Sequence, residues 1–357
     1  NDIKTGESGM KNVTKTVIAG VAAGLAIAAI PGITPVEAKD YKGKTIKIVI
    51  PYGPGGTYDK YGVAFSNHLG RHIEGNPNII LQHMPGAGGA KAMNWFYKVA
   101  PKDGMTLIVP LDNGVTNQLM RPAKMRYDAR NFSWIGSSNQ TNVVMVVRTD
   151  SGIEKLSDLK TKNLIGSTSG KNSSGYINPM LIRGLFGYNI KMVTGYKGSS
   201  KSIFAMEQGE SQMAAFNWLA WSSKVPHWFT GDKPFAKAVA QIGIFRDPDL
   251  PKSVPMVSEL VTSDMDKKAV SFLSVAGLLG RGLALPPGVD KDTVATLRAA
   301  YDKMNASPEF AADLKKRKLR LIPSSGAKIQ AVVKSAVEDA SPEVVKHARK
   351  LIFGGES

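Results

Sequence analysis

Cysteine is absent from the 357-residue chain. That excludes a disulfide framework and lipid attachment through an N-terminal cysteine, and a chain of this size buries enough surface to stand without cross-links. Acidic residues are scarce beside basic ones, 29 Asp and Glu against 46 Lys and Arg, for a net charge of +17. Long apolar runs are missing after residue 38. The nearest approach, Gly277 to Leu285, is interrupted by Arg281 and falls well short of the ~20 residues that span a bilayer. Low-complexity tracts and repeats of fixed period are missing as well.

One long apolar stretch does occur, near the start. The basic segment Met10–Lys15 precedes an unbroken apolar or small run from Val17 to Ile30, then Pro31, Gly32, Pro35 and Val36-Glu37-Ala38. This order of basic region, apolar region and small-residue cleavage site is that of a secretory signal peptide. Cleavage near Ala38 is expected, with a periplasmic product. Residues 1–38 hold three lysines against three acids, so residues 39–357 keep the whole positive excess. A basic protein attracts nucleic acid, anionic surfaces or acidic small molecules, and export removes the first. The densest basic run, Lys315 to Arg320, is read as a solvated helix face.

The alternating run Thr45–Ile50 predicts a strand, and Pro51-Tyr52-Gly53-Pro54-Gly55-Gly56-Thr57 a glycine-rich bend that opens a helix. Tyr61, Phe65, Leu69 and His72 give that helix one apolar face. Strand, glycine-rich bend, helix and strand then repeat through Ile79–Gln82, Pro85–Gly89, Ala90–Val99 and Thr106–Val109. A second such series begins near Asn142 and includes strands at Val143–Val147, Leu164–Ser167, Lys191–Thr194, Met213–Phe216 and Val239–Ile244. Trp218 to Phe229 reads as helical, and four helices close the chain. Such alternation implies α/β architecture with parallel sheets covered by helices. The expected domains are residues 39–141 with 275–357, and residues 142–274. Val143–Val147 and the apolar run Leu273–Leu285 are the expected crossings between them.

Ligands of open α/β sheets sit beyond the carboxyl ends of strands. Both glycine-rich bends and the Ser167 loop fall at such ends. Bare backbone N–H groups at a helix start suit carboxylate or phosphate. Other motifs are incomplete. His68 and His72 have helical metal-ligand spacing but read as a lone pair at a helix end, so no metal and no cofactor are expected. Ser157-Asp158-Leu159-Lys160 lacks its Ser-Asp-Asn companion, and Ser157 reads as a helix cap. Gly166–Gly170 has Thr168 where a nucleophile elbow needs serine. The first bend lacks the third dinucleotide glycine, since Tyr58 stands there. Gly170-Lys171 lacks the rest of a phosphate loop.

Several strings, in order, resemble the Bug solute-binding proteins, the extracytoplasmic receptors of tripartite tricarboxylate transporters. They are Pro51–Asp59, Met84–Gly89, Pro101–Leu107, Gly195–Ser199 and Gly209–Met213, within a span from about Lys44 to Ser325. The resemblance implies a two-domain periplasmic binding protein of Venus-flytrap form, with a hinge and a ligand cleft. It implies a non-enzyme that binds a small organic mono-, di- or tricarboxylate as a monomer and delivers it to integral-membrane transporter subunits. Carried over by position, Tyr52, Gly53, Gly55, Gly56, Thr57 and Asp59 form one wall. Ser167, Thr168, Ser169, Ser173 and Ser174 form the other, and Gly88, Tyr196, Lys197, Gly198 and Asn217 complete the cleft. Two features depart from the pattern: the 166–176 loop carries an added Lys171, which either pairs a second carboxylate or is solvated, and Asn217 stands where relatives carry Asp. Trp221 and Trp228 read as core, with Trp218 open between core and ligand stacking. The alternatives are an exported hydrolase using Ser169 or Ser167, and a sensor partner of a membrane kinase.

Overall fold

The computed structural model describes residues 40–354. The signal-peptide assignment for residues 1–38 lies outside the described residues.

The first series runs β1 (Thr45–Ile50), α1 (Thr57–His68), β2 (Asn78–His83), α2 (Ala90–Lys98), β3 (Thr106–Ile108), α3 (Gly114–Met120) and β4 (Ser133–Ser137). The second runs β5 (Val143–Arg148), β6 (Leu164–Thr168), α4 (Ser174–Phe186), β7 (Ile190–Thr194), α5 (Ser199–Glu207), β8 (Met213–Asn217), α6 (Trp218–Ser222), β9 (Ala236–Ile242), α7 (Val257–Leu260) and α8 (Asp264–Ser274). The chain then returns through α9 (Ala276–Leu279), β10 (Gly282–Leu285), α10 (Lys291–Ala306), α11 (Pro308–Lys316), β11 (Ser324–Ser325), α12 (Gly326–Glu338) and α13 (Pro342–Phe353).

Two sheets result, in the orders β11-β4-β10-β3-β1-β2 and β7-β6-β8-β5-β9. Both are mixed, where parallel sheets were expected. β1 is parallel to β2 and β3, and β6 to β7 and β8, as strand–helix–strand units require. The strand that enters each lobe from the other runs the opposite way: β10 against β3 and β4, and β5 against β8 and β9. A chain that crosses into a sheet from its partner lobe starts at the opposite edge, so its direction is reversed.

The apolar period expected of α1 is present: Tyr61 and Phe65 are fully buried, and Leu69 continues the face. Burying each aromatic is worth about 1.5–3 kcal/mol. The helix expected over 218–229 is broken. Asn217 caps α6 by accepting from Ala220 N–H, the helix ends at Ser222, and Pro226 opens a separate 3-10 turn. Trp221 and Trp228 do lie in the core, 6.4 Å apart. Trp218 packs edge-on against Phe229 at 5.0 Å, so it joins the same cluster.

The crossings lie side by side. Ser138 N–H donates to the Arg281 carbonyl at 2.8 Å, Arg281 N–H to Asn139 Oδ1 at 2.8 Å, and Thr141 N–H to the Gly277 carbonyl at 3.1 Å. Two adjacent, mutually bonded segments are what a hinge between lobes needs. The last helix departs from the expected grouping of 275–357. Ala348, Ile352 and Phe353 of α13 join the core of the β5–β9 lobe, chiefly against α4 and α8, and touch the first lobe through Arg121, whose guanidinium lies 4.9 Å from the Phe353 ring centre. The basic run also differs from a wholly solvated face. Arg320 forks onto the buried Asp247, with bonds of 2.8 and 2.6 Å. His68 pairs with Asp313 at 3.2 Å.

Candidate functional site

The carboxyl ends of β1, β3, β6, β7 and β8 all point to one seam between the lobes. There a small cavity is lined from both sides by Tyr52, Gly56, Thr57, Tyr58, Asp112, Ser169, Ser173, Ser174, Gly175, Gly198, Ser199, Phe216, Asn217 and Arg281. Its volume, as room for water centres, is about 40 Å³. That holds a few waters at most. The cleft is shut: Gly53 N–H donates to the Lys197 carbonyl at 2.7 Å, directly from one lobe to the other.

Three helices begin at this cavity. α1 starts after Gly56, α4 after Ser173 and α5 after Gly198, and none of the three has a side-chain cap. Elsewhere α8, α10, α11 and α12 are capped by Ser263, Asp290, Ser307 and Ser325, while α2, α3, α9 and α13 also lack a cap but their first residues do not line this cavity. An uncapped start leaves N–H donors at the positive end of the helix dipole. Here two lobes bring three such ends to one place.

Thr57 adds a donor. Its Oγ1 accepts from Asn217 Nδ2 at 2.9 Å and from Arg281 Nη2 at 3.3 Å. With both lone pairs engaged, its own hydroxyl hydrogen is left to donate. Ser174 donates to Asp112 Oδ1 at 2.8 Å, which ties α4 to the loop after β3. Tyr52 donates to the Gly88 carbonyl at 3.1 Å and meets the Ser169 side chain. Burial pushes the Tyr52 and Tyr58 phenols well above the usual tyrosine range, so both stay protonated.

Of the sixteen positions carried over by resemblance, Tyr52, Gly56, Thr57, Ser169, Ser173, Ser174, Gly198 and Asn217 line the cavity. The other eight lie outside it. Gly53 and Lys197 spend their main-chain groups on each other. Gly55 N–H donates to Asp59 Oδ2 at 2.7 Å, and Asp59 Oδ1 meets His83 Nε2 at 2.7 Å. Asp59 therefore braces the first loop from behind. Ser167 is buried within β6, donating to the Ser202 carbonyl and accepting from Ser211. Thr168 pairs with Ser173 Oγ at 2.8 Å, supporting the start of α4. Tyr196 turns outward to Glu210. Gly88 sits where the lobes touch: a Cβ there would lie 2.8 Å from Ser173 N. Lys171 is exposed and is not among the lining residues.

Sequence reasoning missed Tyr58, Asp112, Gly175, Ser199, Phe216 and Arg281. Arg281 is 3 % exposed and donates to Asp112 Oδ2 at 2.9 Å, with its guanidinium carbon 3.7 Å above the Tyr58 ring. The signal was present, since a lone arginine inside an otherwise apolar run is costly unless paired. Asp112 offered less, because its partner is distant in sequence.

A model of the tripartite tricarboxylate transporter family receptors matches residues 67–346. The chain belongs to that family. A UPF0065 protein of Bordetella pertussis is 22% identical over 194 residues, 53% of this chain and 59% of its own length. The chain thus matches little more than half of that relative. Among solved structures, the periplasmic binding protein BugD superposes with a TM-score of 0.69 at 17% identity, covering 87% of this chain and 98% of that one. MatC from Rhodopseudomonas palustris, with bound malate, gives 0.67 at 20% identity, covering 85% and 99%. A further R. palustris protein, with adipate, gives 0.67 at 19% identity, covering 87% and 98%. These likenesses establish the two-lobed periplasmic binding protein fold.

Proposed function

We propose that this receptor binds a small organic carboxylate in the cavity between its lobes and presents it to a membrane transporter. The observation that carries the proposal is the convergence of three uncapped helix starts, from both lobes, on one buried seam. An anion at one such end is worth 0.3–1 kcal/mol, rising to ~2 kcal/mol when partly buried. Charge-assisted hydrogen bonds from N–H groups and hydroxyls add to this. Micromolar binding needs only about −8 kcal/mol in total. The malate and adipate in the two R. palustris neighbours favour the same ligand chemistry. Binding drives closure because the donors of both lobes meet only when the cleft is shut. The family supports the transporter partner and the periplasmic setting of this reading.

A serine hydrolase fits the site poorly. A serine nucleophile needs an adjacent base. Ser167 is bonded within its own lobe, and Ser169 faces a phenol held protonated. The lining residues include no histidine, and the Asp112 carboxylate is engaged by Arg281 and Ser174. A thermal-shift screen of organic acids tests the proposal. A ligand at 100 times its Kd stabilises the native state by ~2.7 kcal/mol. Raised melting points for carboxylates but not for their amides are expected; no response to any acid would contradict it.

A further inference from the structure

Lys318 stands where glycine is the usual residue. It follows the last turn of α11 with φ +57° and takes part in a Schellman motif: its N–H donates to the Lys315 carbonyl at 3.0 Å, and Leu319 N–H to the Leu314 carbonyl at 2.8 Å. A side chain at this left-handed position strains the backbone, which glycine would not. The lysine is exposed, so packing does not offset that strain.

Lys318 belongs to a group of cations drawn from both lobes. Lys60 of α1 reaches across the seam, donating to the Ser223 carbonyl at 3.1 Å and to Ser223 Oγ at 2.8 Å. The adjacent Lys224 donates to Ser200 Oγ at 2.9 Å. Both ammonium groups thus bond neutral oxygens. Burial lowers the Lys60 pKa, and the charges of Lys224, Lys318 and Arg317 lower it further. Burial also lowers Lys224, with Glu207 opposing and Lys201 adding to the effect. Of the carboxylates that act on this group, Asp59 is bonded to Gly55 and His83, Asp313 to His68 and Arg317, and Glu207 is exposed. Lys201 Nζ lies 6.0 Å from the ring centre of Phe204, which is 51 % exposed.

We propose that Lys60, Lys318, Lys201 and Lys224 form a docking surface for an acidic segment of a protein partner. The first lobe carries Lys60 and Lys318, and the second carries Lys201 and Lys224, so the surface is complete only when the cleft is shut. Repulsion among these charges opposes closure, and carboxylates placed between them relieve it. Carboxylates fixed on a protein distinguish the shut spacing from a wider one, whereas lipid headgroups diffuse and match either. The exposed aromatic beside Lys201 suits a protein contact, where such side chains are enriched. The solute cavity takes no part, so the inference stands whether or not an organic acid binds there.

Fluorescence anisotropy of a dye-labelled octaglutamate peptide, titrated with the full chain at physiological ionic strength, tests this. Lys224→Gln and Lys318→Gln are each expected to weaken binding at least threefold, and the two together tenfold or more. Lys44→Gln with Lys160→Gln makes the same change in net charge. Both of those lysines are exposed and precede β1 and β6, at the strand ends away from the seam, and less than a twofold loss is expected. Lys318→Gly is expected to raise the melting point, because the left-handed backbone relaxes, and yet to weaken the peptide as Lys318→Gln does. Equal losses in the two double variants would show attraction by net charge alone and overturn the surface. A loss with only one of Lys224 and Lys318 would overturn its extension across both lobes. No binding of the peptide, or capture of the protein by phosphatidylglycerol vesicles through these lysines in its place, would overturn the protein partner.

Discussion

Gly88→Ala separates folding from closure. Gly88 has φ +65°, and a Cβ there would lie 2.8 Å from Ser173 N, 3.0 Å from Asn172 N and 3.1 Å from Asn172 C. All three are backbone atoms of the facing lobe and cannot rotate away. Ordinary contacts begin near 3.4 Å, so the lobes must part by roughly half an ångström at this point. The adjoining cross-lobe bonds then stretch, including Asn172 Nδ2 to the Ala87 carbonyl, now 2.9 Å. Overpacking of this kind costs ~1–3 kcal/mol, and here it falls only on the closed form. A Kd raised about ten- to hundredfold is expected by calorimetry, with scattering showing less compaction on adding ligand. The left-handed backbone carries a separate penalty of ~1 kcal/mol, which acts on folding in either form. Gly187→Ala isolates it, because Gly187 has φ +67° and nothing within 4 Å of an added Cβ. That control is expected to lower the melting point and leave affinity unchanged. Equal affinities for the Gly88 and Gly187 variants would refute the argument.

Asn172→Ala removes two of the four cross-lobe bonds made by this residue, those of its side chain to Arg121 and Ala87. About tenfold faster ligand dissociation is expected in stopped flow, with little change in melting point. Asp59→Ala unties Gly55 from His83. A several-fold loss of affinity is expected although Asp59 does not line the cavity, and an unchanged Kd would contradict its bracing role. Trp221 is fully buried among Phe216, Trp228 and Phe229. Trp221→Ala should cost ~3–5 kcal/mol in denaturant unfolding.

Local signals carried most of the fold. Alternating apolar strands, glycine bends and three-to-four spaced helices are written within ten or fifteen residues each, so β1 with α1 and β6 with α4 could be read directly. Strand direction could not. The reversal of β5 and β10 depends on which lobe the chain comes from, which no local window contains. Half of the expected site positions line the cavity, because glycine bends and hydroxyls at strand ends are local features. The errors were in orientation and pairing. Ser167 lies inside β6 and Ser169 just past its end, where the strand's alternation of faces stops, so the first packs within the lobe and the second reaches the cleft. Asp59 looked like a wall residue because one of its partners, His83, reaches it only once β1 and β2 pair. Arg281 was visible as an anomaly in an apolar run, but its role needed Asp112, 169 residues away.

The most direct test is a crystal structure with the organic acid that gives the largest thermal shift. The account predicts carboxylate oxygens within ~3 Å of main-chain N–H groups at the starts of both α1 and α4, one from each lobe. An acid bound elsewhere, or touching one lobe only with those N–H groups unengaged, would contradict it.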